Sequence, residues 1–326
     1  MRNELKASLS QKKTLLIISL LSILFGVLSC VLGDIILPLL VASLAALYLF
    51  DSTSHRTYCV SVSFVLVALN LAGFLFGITV SAFAPCAILL GLIICYSYVK
   101  NQSKADAAYI MTLISAAFTV LSCVLLAMIE QGAFNWEAVT SFYGELHDSI
   151  RTLFISGMLD VYTASGFEVT EEVVASIFDL QIRSLISYII IGGFVIVGLS
   201  MKAFSLAVSR LSENKQHIIE WRFTATDIFA YFYLILVIAS LFVGSADSIF
   251  AVSVLNLYNI FLVIFAYVGF NFAMAILTTR MRTGTAFIIL IALLAVFSSF
   301  VMQLFAVMGV MFTLRSSRMN NKPANP

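Results

Sequence analysis

The sequence predicts an all-α, polytopic transmembrane helix bundle of about nine membrane helices, with one outer amphipathic helical segment. Three observations carry this. The chain is 61% hydrophobic and only 11% charged, with a mean hydropathy of +1.06, so it has too little charge to cover the surface of a water-soluble domain of 326 residues. Its apolar residues come in runs long enough to cross a hydrocarbon core about 30 Å thick. One long stretch interrupts them: Glu130 to Arg183 holds nine of the 17 acidic residues and only Arg151 and Arg183 as basic ones. Basic residues gather in cytoplasmic loops, so the acidic stretch belongs on the outer side.

The whole chain, 1–326, reads as a single integral membrane domain, with five helices in 14–129, an extracytoplasmic amphipathic loop in 130–183, the remaining helices in 184–314 and a disordered tail in 315–326. Arg2, Lys6, Lys12 and Lys13 precede the run Thr14 to Leu32. That run is longer than a signal-peptide core and is followed at once by more apolar sequence, so it is expected to stay as a first span with a cytoplasmic N-terminus. The second, Ile35 to Phe50, has Pro38 near its start, where a missing amide costs little. After a short inner loop, Asp51 to Thr57, the block from Tyr58 to Val99 is long enough for two spans turning near Gly77 to Pro85. Lys100 and Lys104 mark an inner loop, and Ala107 to Met128 is the fifth span.

In the outer stretch Val139, Phe142, Tyr143, Leu146, Ile150, Leu153 and Phe154 recur at three- and four-residue steps with Glu137, Glu145, Asp148 and Arg151 between them. This is the pattern of an amphipathic helix. Without Lys it has no attraction to anionic lipid, and it is expected to lie across the outer mouth of the bundle. Gly157 to Gly166 is expected to break it. Thr170 with Glu171 and Glu172 resembles a helix start with acids in its first turn, running on into the sixth span, Leu185 to Leu206. An inner loop with Arg210, Lys215 and Arg222 leads to the seventh span, Asp227 to Val243; a turn at Ser245 to Ser248 leads to the eighth, Ile249 to Leu277. Thirteen of the 18 Lys and Arg residues then lie inside. The last run, Ala286 to Phe312, is read either as one tilted span, which leaves Arg315, Arg318 and Lys322 outside, or as a re-entrant hairpin broken near Ser298-Ser299, which returns them inside.

No catalytic motif is present, and His55, His147 and His217 fall in three separate loops. The five cysteines match no metal or redox spacing. The expectation is therefore no enzyme, no metal and no cofactor. Basic residues form no patch for nucleic acid, and the expected partner is the lipid bilayer. No Asp, Glu, Lys or Arg stands at the middle of a span, where an ion-driven pump would need one. The polar residues that do enter the spans are amides: Asn70, Gln303, and Asn256, Asn259 and Asn271 along one side of the eighth span. Such amides serve either as hydrogen bonds between helices or as a substrate pocket; Asn256, Asn259, Asn70 and Gln303 are the candidate substrate-binding residues. In the first span Ser19, Ser22, Gly26, Ser29 and Gly33 line one face at three- and four-residue steps. A small-residue face admits close helix approach, either by the protein's own helices or by another subunit's.

The stretch Ile218-Ile219-Glu220-Trp221-Arg222-Phe223, the run Asn256-Leu257-Tyr258-Asn259 followed by Gly269-Phe270, and the closing Gly309 to Arg315 resemble the YybS-like family of bacterial membrane proteins. That family is thought to be related to the substrate-binding S components of energy-coupling factor transporters. The resemblance implies a multi-pass protein of the bacterial cytoplasmic (inner) membrane that binds a small molecule and works with a transmembrane coupling subunit and cytoplasmic ATPases. It also implies that the small-residue face of the first helix contacts the coupling subunit. The alternative is an envelope scaffold or assembly protein that uses its outer amphipathic helix.

Overall fold

The computed structural model describes residues 2–51, 57–79, 81–100, 104–211, 225–243, 248–296 and 298–320. Among these the chain forms twelve α-helices and no strand: α1 Arg2–Leu32, α2 Leu37–Phe50, α3 Thr57–Leu75, α4 Phe83–Lys100, α5 Lys104–Glu130, α6 Trp136–Ala164, α7 Glu171–Arg183, α8 Leu185–Leu211, α9 Asp227–Val243, α10 Ile249–Leu277, α11 Thr283–Val296 and α12 Ser298–Asn320. Six are long and apolar enough to cross a membrane: Lys12–Leu32, Thr57–Leu75, Phe83–Lys100, Asp106–Glu130, Leu185–Arg210 and Ile249–Leu277. Helices satisfy their own backbone polar groups, which lipid cannot do for them. The expected loops with His55, Arg56, His217, Arg222 and Asp247, and the end of the tail with Lys322, lie outside the described residues.

The chain folds as two compact units. One compact unit comprises residues 1–175 and 192–222, the other 176–191 and 223–326. The chain passes from one to the other within α7 and again within α8.

In the first unit α2 is the centre. At 14 residues it rises only about 21 Å, too little to span, and Leu40, Val41, Leu44, Ala45 and Leu47 are fully buried. A short apolar helix of this length is more often core than span. Pro38 stands in its first turn, as expected. Gly91 of α4 admits the backbone of α2: a Cβ there would lie 3.1 Å from Leu44 Cβ and 3.3 Å from Ala45 N. The expected turn between α3 and α4 forms at residues 76–79 and 81–82. The chain leaves α3 through Gly77 at φ +65°, with Ile78 N–H donating to the Gly73 carbonyl (2.8 Å). That left-handed step is one that only glycine takes at little cost.

Two local expectations are corrected. Gly157 does not break α6; a lone glycine costs a helix interior about 1 kcal/mol and is tolerated. The helix runs on to Ala164 and stops at Gly166 (φ +76°), where Phe167 N–H donates to the Tyr162 carbonyl and Gly166 N–H to that of Thr163, a paired closure of the last turn. Helix α7 begins as expected after Thr170, whose carbonyl accepts from the Val173 and Val174 amides. It does not run on unbroken into the sixth span but stops at Arg183, and α8 starts after a turn at Ser184.

In the second unit the last apolar run is two helices that part beside the expected break at Ser298-Ser299; among the described residues ten helices are apolar, six of them long enough to span. Gly269 of α10 lies against Phe305 and Gly309 of α12, and Gly309 lies against Phe265 and Gly269. Further on, the rings of Phe272 and Phe312 stand 4.8 Å apart. The pairs Gly269 with Gly309 and Phe272 with Phe312 keep one separation in sequence, so α10 and α12 run parallel. Helix α11 is then the return stroke between them, and α12 ends at the same end of the unit as α10. The core around this crossing contains Ala230, Tyr233, Phe265, Ala266, Phe305, Ala306 and Val310.

Candidate functional site

The amides proposed by the sequence divide sharply once placed. Asn256 is buried, and its group is saturated: Oδ1 accepts from Ser187 N–H (2.8 Å), while Nδ2 donates to the carbonyls of Arg183 (2.7 Å) and Val252 (2.8 Å). Arg183 and Ser187 flank the turn at Ser184 where α7 gives way to α8. That break leaves backbone groups open, and an unmet buried amide or carbonyl costs about 1–3 kcal/mol. Asn256 meets them from α10. Its role is thus a clip on a helix break, and it has no donor left for a ligand.

Asn70 has the same character in the first unit. It is buried; Nδ2 donates to the Ser81 carbonyl (2.8 Å) and Oδ1 accepts from Ala84 N–H at the start of α4 (3.3 Å). Asn259 is half-buried, whereas Asn271 and Gln303 are exposed. The expectation that the three asparagines of α10 all face inward is therefore corrected, and Gln303 does not belong to an interior pocket. Their phase around the helix was right, but α12 packs on the glycine side of α10 and leaves Asn271 outside.

The stripe on α1 is turned inward too. Ser19, Ser22 and Ser29 are buried. Ser22 Oγ donates to Ser43 Oγ of α2 (3.0 Å), and a Cβ on Gly26 would run into the side chain of Leu66 of α3. Gly33, at the end, is half-buried with φ +61°. Because α2 and α3 already occupy this face, it is not free for a partner helix, and the docking role expected for Ser19, Ser22, Gly26, Ser29 and Gly33 is withdrawn.

What the structure adds is a cleft in the first unit where α3 gives way to α4. It is lined by Leu37, Ser81, Ala82, Phe83, Cys86, Ser115, Phe118, Thr119 and Ser122. Ser115, Thr119 and Ser122 follow one another at steps of four and three along α5, so their hydroxyls share one face. Thr119 donates to the Ser115 carbonyl (3.1 Å) and Ser122 to that of Phe118 (2.8 Å). Both keep oxygen lone pairs for the cleft, and Ser122 Oγ uses one to accept from Ala82 N–H (2.8 Å). The cavity is about 10 Å³, the room of one water. No ionisable side chain other than the Cys86 thiol lines it, so what it offers is neutral hydrogen bonding. The sequence carries the signal, a hydroxyl at every turn of an otherwise apolar span.

Among the described residues no group of three or more His, Cys, Asp or Glu is placed to hold a metal. On α6, His147 Nδ1 lies 3.1 Å from Asp148 Oδ1, both at the surface. Tyr143 of α6 donates its hydroxyl to the Cys123 carbonyl of α5 (2.8 Å). Burial, with the adjacent Cys123, pushes that phenol up from its ordinary 10.0 to about 12, so it is a permanent donor at any physiological pH.

A family model described as "Predicted membrane protein (DUF2232)" matches residues 13–311. No curated protein and no solved structure matches the chain.

Proposed function

We propose, on the premise that this chain belongs to the DUF2232 family of predicted membrane proteins, that it is a small-molecule-binding membrane transport protein, similar in role to an energy-coupling factor S component. It captures its ligand at the cleft between the start of α4 and the hydroxyl face of α5. In this reading it sits in the bacterial cytoplasmic membrane with its N-terminus inside and catalyses no reaction itself. The observation that carries the proposal is the convergence of Ser81, Ser115, Thr119 and Ser122 on one cleft. Pockets that bind metabolites are mostly apolar with a few placed polar groups, and this set suits a neutral, polar ligand. A metabolite is far larger than one water, so the start of α4 must part from α5 to admit it. The hydrogen bonds of Asn70 with Ser81 and Ala84 and of Ser122 with Ala82 are among those that yield in that movement. The coupling subunit and cytoplasmic ATPases that such a protein works with would dock elsewhere than on the filled stripe of α1.

The test is thermal-shift screening of the purified protein against neutral vitamins and nucleobases, repeated on Ser115→Ala/Thr119→Val. Stabilisation by one compound, lost in a variant that still folds, is the expected result. A shift of equal size in the variant, or no shift across the panel, sinks the proposal.

The second reading, an envelope scaffold, draws on one observation: the apolar face of α6 is largely uncovered. Leu153 is 72% exposed and Trp136 68%. What covers that face separates the two readings.

A further inference from the structure

Helix α6 presents two opposed faces. At 100° per residue, Val139, Phe142, Tyr143, Leu146, Ile150, Leu153 and Phe154 fall within an arc of about 120°, and Glu137, Glu145, Asp148 and Arg151 within a similar arc on the opposite side. An amphipathic helix normally buries its apolar arc against the protein. Here Val139 is buried near the start, but Leu146, Ile150, Leu153 and, one turn before the end, Val161 are exposed.

We infer that the occupant of this face is the bilayer surface itself, and that α6 lies in the plane of the membrane with its apolar arc at the boundary between headgroups and acyl chains. Two features on the molecule point there. The first is depth. Tyr143 is tied to Cys123, which lies seven residues before the end of α5 at Glu130. Measured from Asp106, Cys123 is about 26 Å along α5 and Glu130 about 36 Å. In a core about 30 Å thick, the hydrogen bond therefore holds α6 just inside the edge of the hydrocarbon. The second is composition. Ile129 at the end of α5, Phe134 in the connection and Trp136 at the start of α6 are all exposed, interleaved with exposed Glu130, Gln131 and Asn135, the mixture of apolar and polar groups that suits the headgroup level. Trp is a residue that prefers this level of the bilayer. The charge of the helix limits which lipid this can be: Glu137, Glu145, Asp148 and Asp160 stand against Arg151 alone, so the helix is repelled by anionic headgroups and rests on zwitterionic lipid through its apolar area alone. This inference does not depend on the transport reading; it removes the observation that favours a scaffold.

The test uses the full-length chain at one copy per phosphatidylcholine nanodisc, with Trp136 and Trp221 replaced by Phe and one new tryptophan at Leu153→Trp or Thr152→Trp. Thr152 lies on the charged side of α6. The expected result is that phosphatidylcholine brominated high on its acyl chains quenches the Leu153→Trp protein at least about twofold more than the Thr152→Trp protein, with aqueous iodide giving the opposite order. Equal iodide quenching of the two would place the face in water; quenching of Leu153→Trp by neither agent would place it under protein. Either overturns the inference. Trp221→Phe alone leaves α6 untouched and reads native Trp136. Quenching of Trp136 by the brominated lipid supports the placement, and its absence refutes it without any change to the helix.

Discussion

Replacing Gly269 by Ala is the sharpest perturbation of the second unit, because the neighbour that a new Cβ would meet is backbone. It would run into the Phe305 carbonyl oxygen and lie 2.7 Å from the carbonyl carbon and 2.9 Å from Gly309 N. A flexible side chain can turn aside; a hydrogen-bonded helix backbone cannot. The helices must therefore part by about 1 Å, and a gap of that size forfeits a quarter to a half of the dispersion energy of each contact it opens. Those contacts include the buried Phe305, Ala306 and Val310, and no hydrophobic driving force between helices in lipid replaces them. Overpacking of this kind costs about 1–3 kcal/mol, and the upper end is expected here. Gly198→Ala in α8, where a Cβ meets nothing within 4 Å, is the control and should be neutral or stabilise by about 0.5–1 kcal/mol through helix propensity. The assay is circular dichroism during SDS titration in mixed micelles. Gly309→Ala should behave like Gly269→Ala, and the pair should cost less than the sum, since the helices are already apart after the first change. If Gly269→Ala unfolds at the wild-type SDS fraction, the close parallel crossing of α10 and α12 is wrong.

Asn256→Leu should destabilise by about 1–3 kcal/mol for the unmet groups at the α7–α8 break while leaving any ligand-dependent thermal shift intact; loss of the shift in a folded variant would return Asn256 to the binding site. Tyr143→Phe should cost about 0.5–1.5 kcal/mol, measured by SDS titration. The sign of its pH dependence follows from a phenol raised above its unfolded value. The contribution is fully present below pH 10 and is lost as pH rises through about 12, so wild type should weaken across that window and the Phe variant should lack this component. Because α10 and α12 are parallel, cysteines placed at Arg280 and Ser316 should be labelled by a membrane-impermeant maleimide from the same side, and labelling from opposite sides would refute the return stroke of α11.

The six long apolar spans were legible in the sequence to within a few residues, and for Asp227–Val243 and Ile249–Leu277 the expected and observed limits coincide. The reason is physical: in lipid the backbone must close its hydrogen bonds within each segment, so the length of an apolar run and the glycines and prolines at its ends decide the element. The amphipathic character of α6 was legible for the same reason, since periodicity is a property of one helix alone. What periodicity cannot supply is the partner. The small residues of α1 form the same stripe whether α2 and α3 or a foreign helix fills it, and only the placement of Ser43 and Leu66 decided that it is filled from within. The asparagines of α10 were known to share a side, but their burial depended on the neighbours: the α7–α8 break covers Asn256, while α12 meets Gly269 on the other side and leaves Asn271 outside. The cleft joins the backbone of Ser81 and Ala82 to hydroxyls some forty residues on in α5. Such a site exists only once the turn after α3 has folded against α5, because no single segment holds both halves of it.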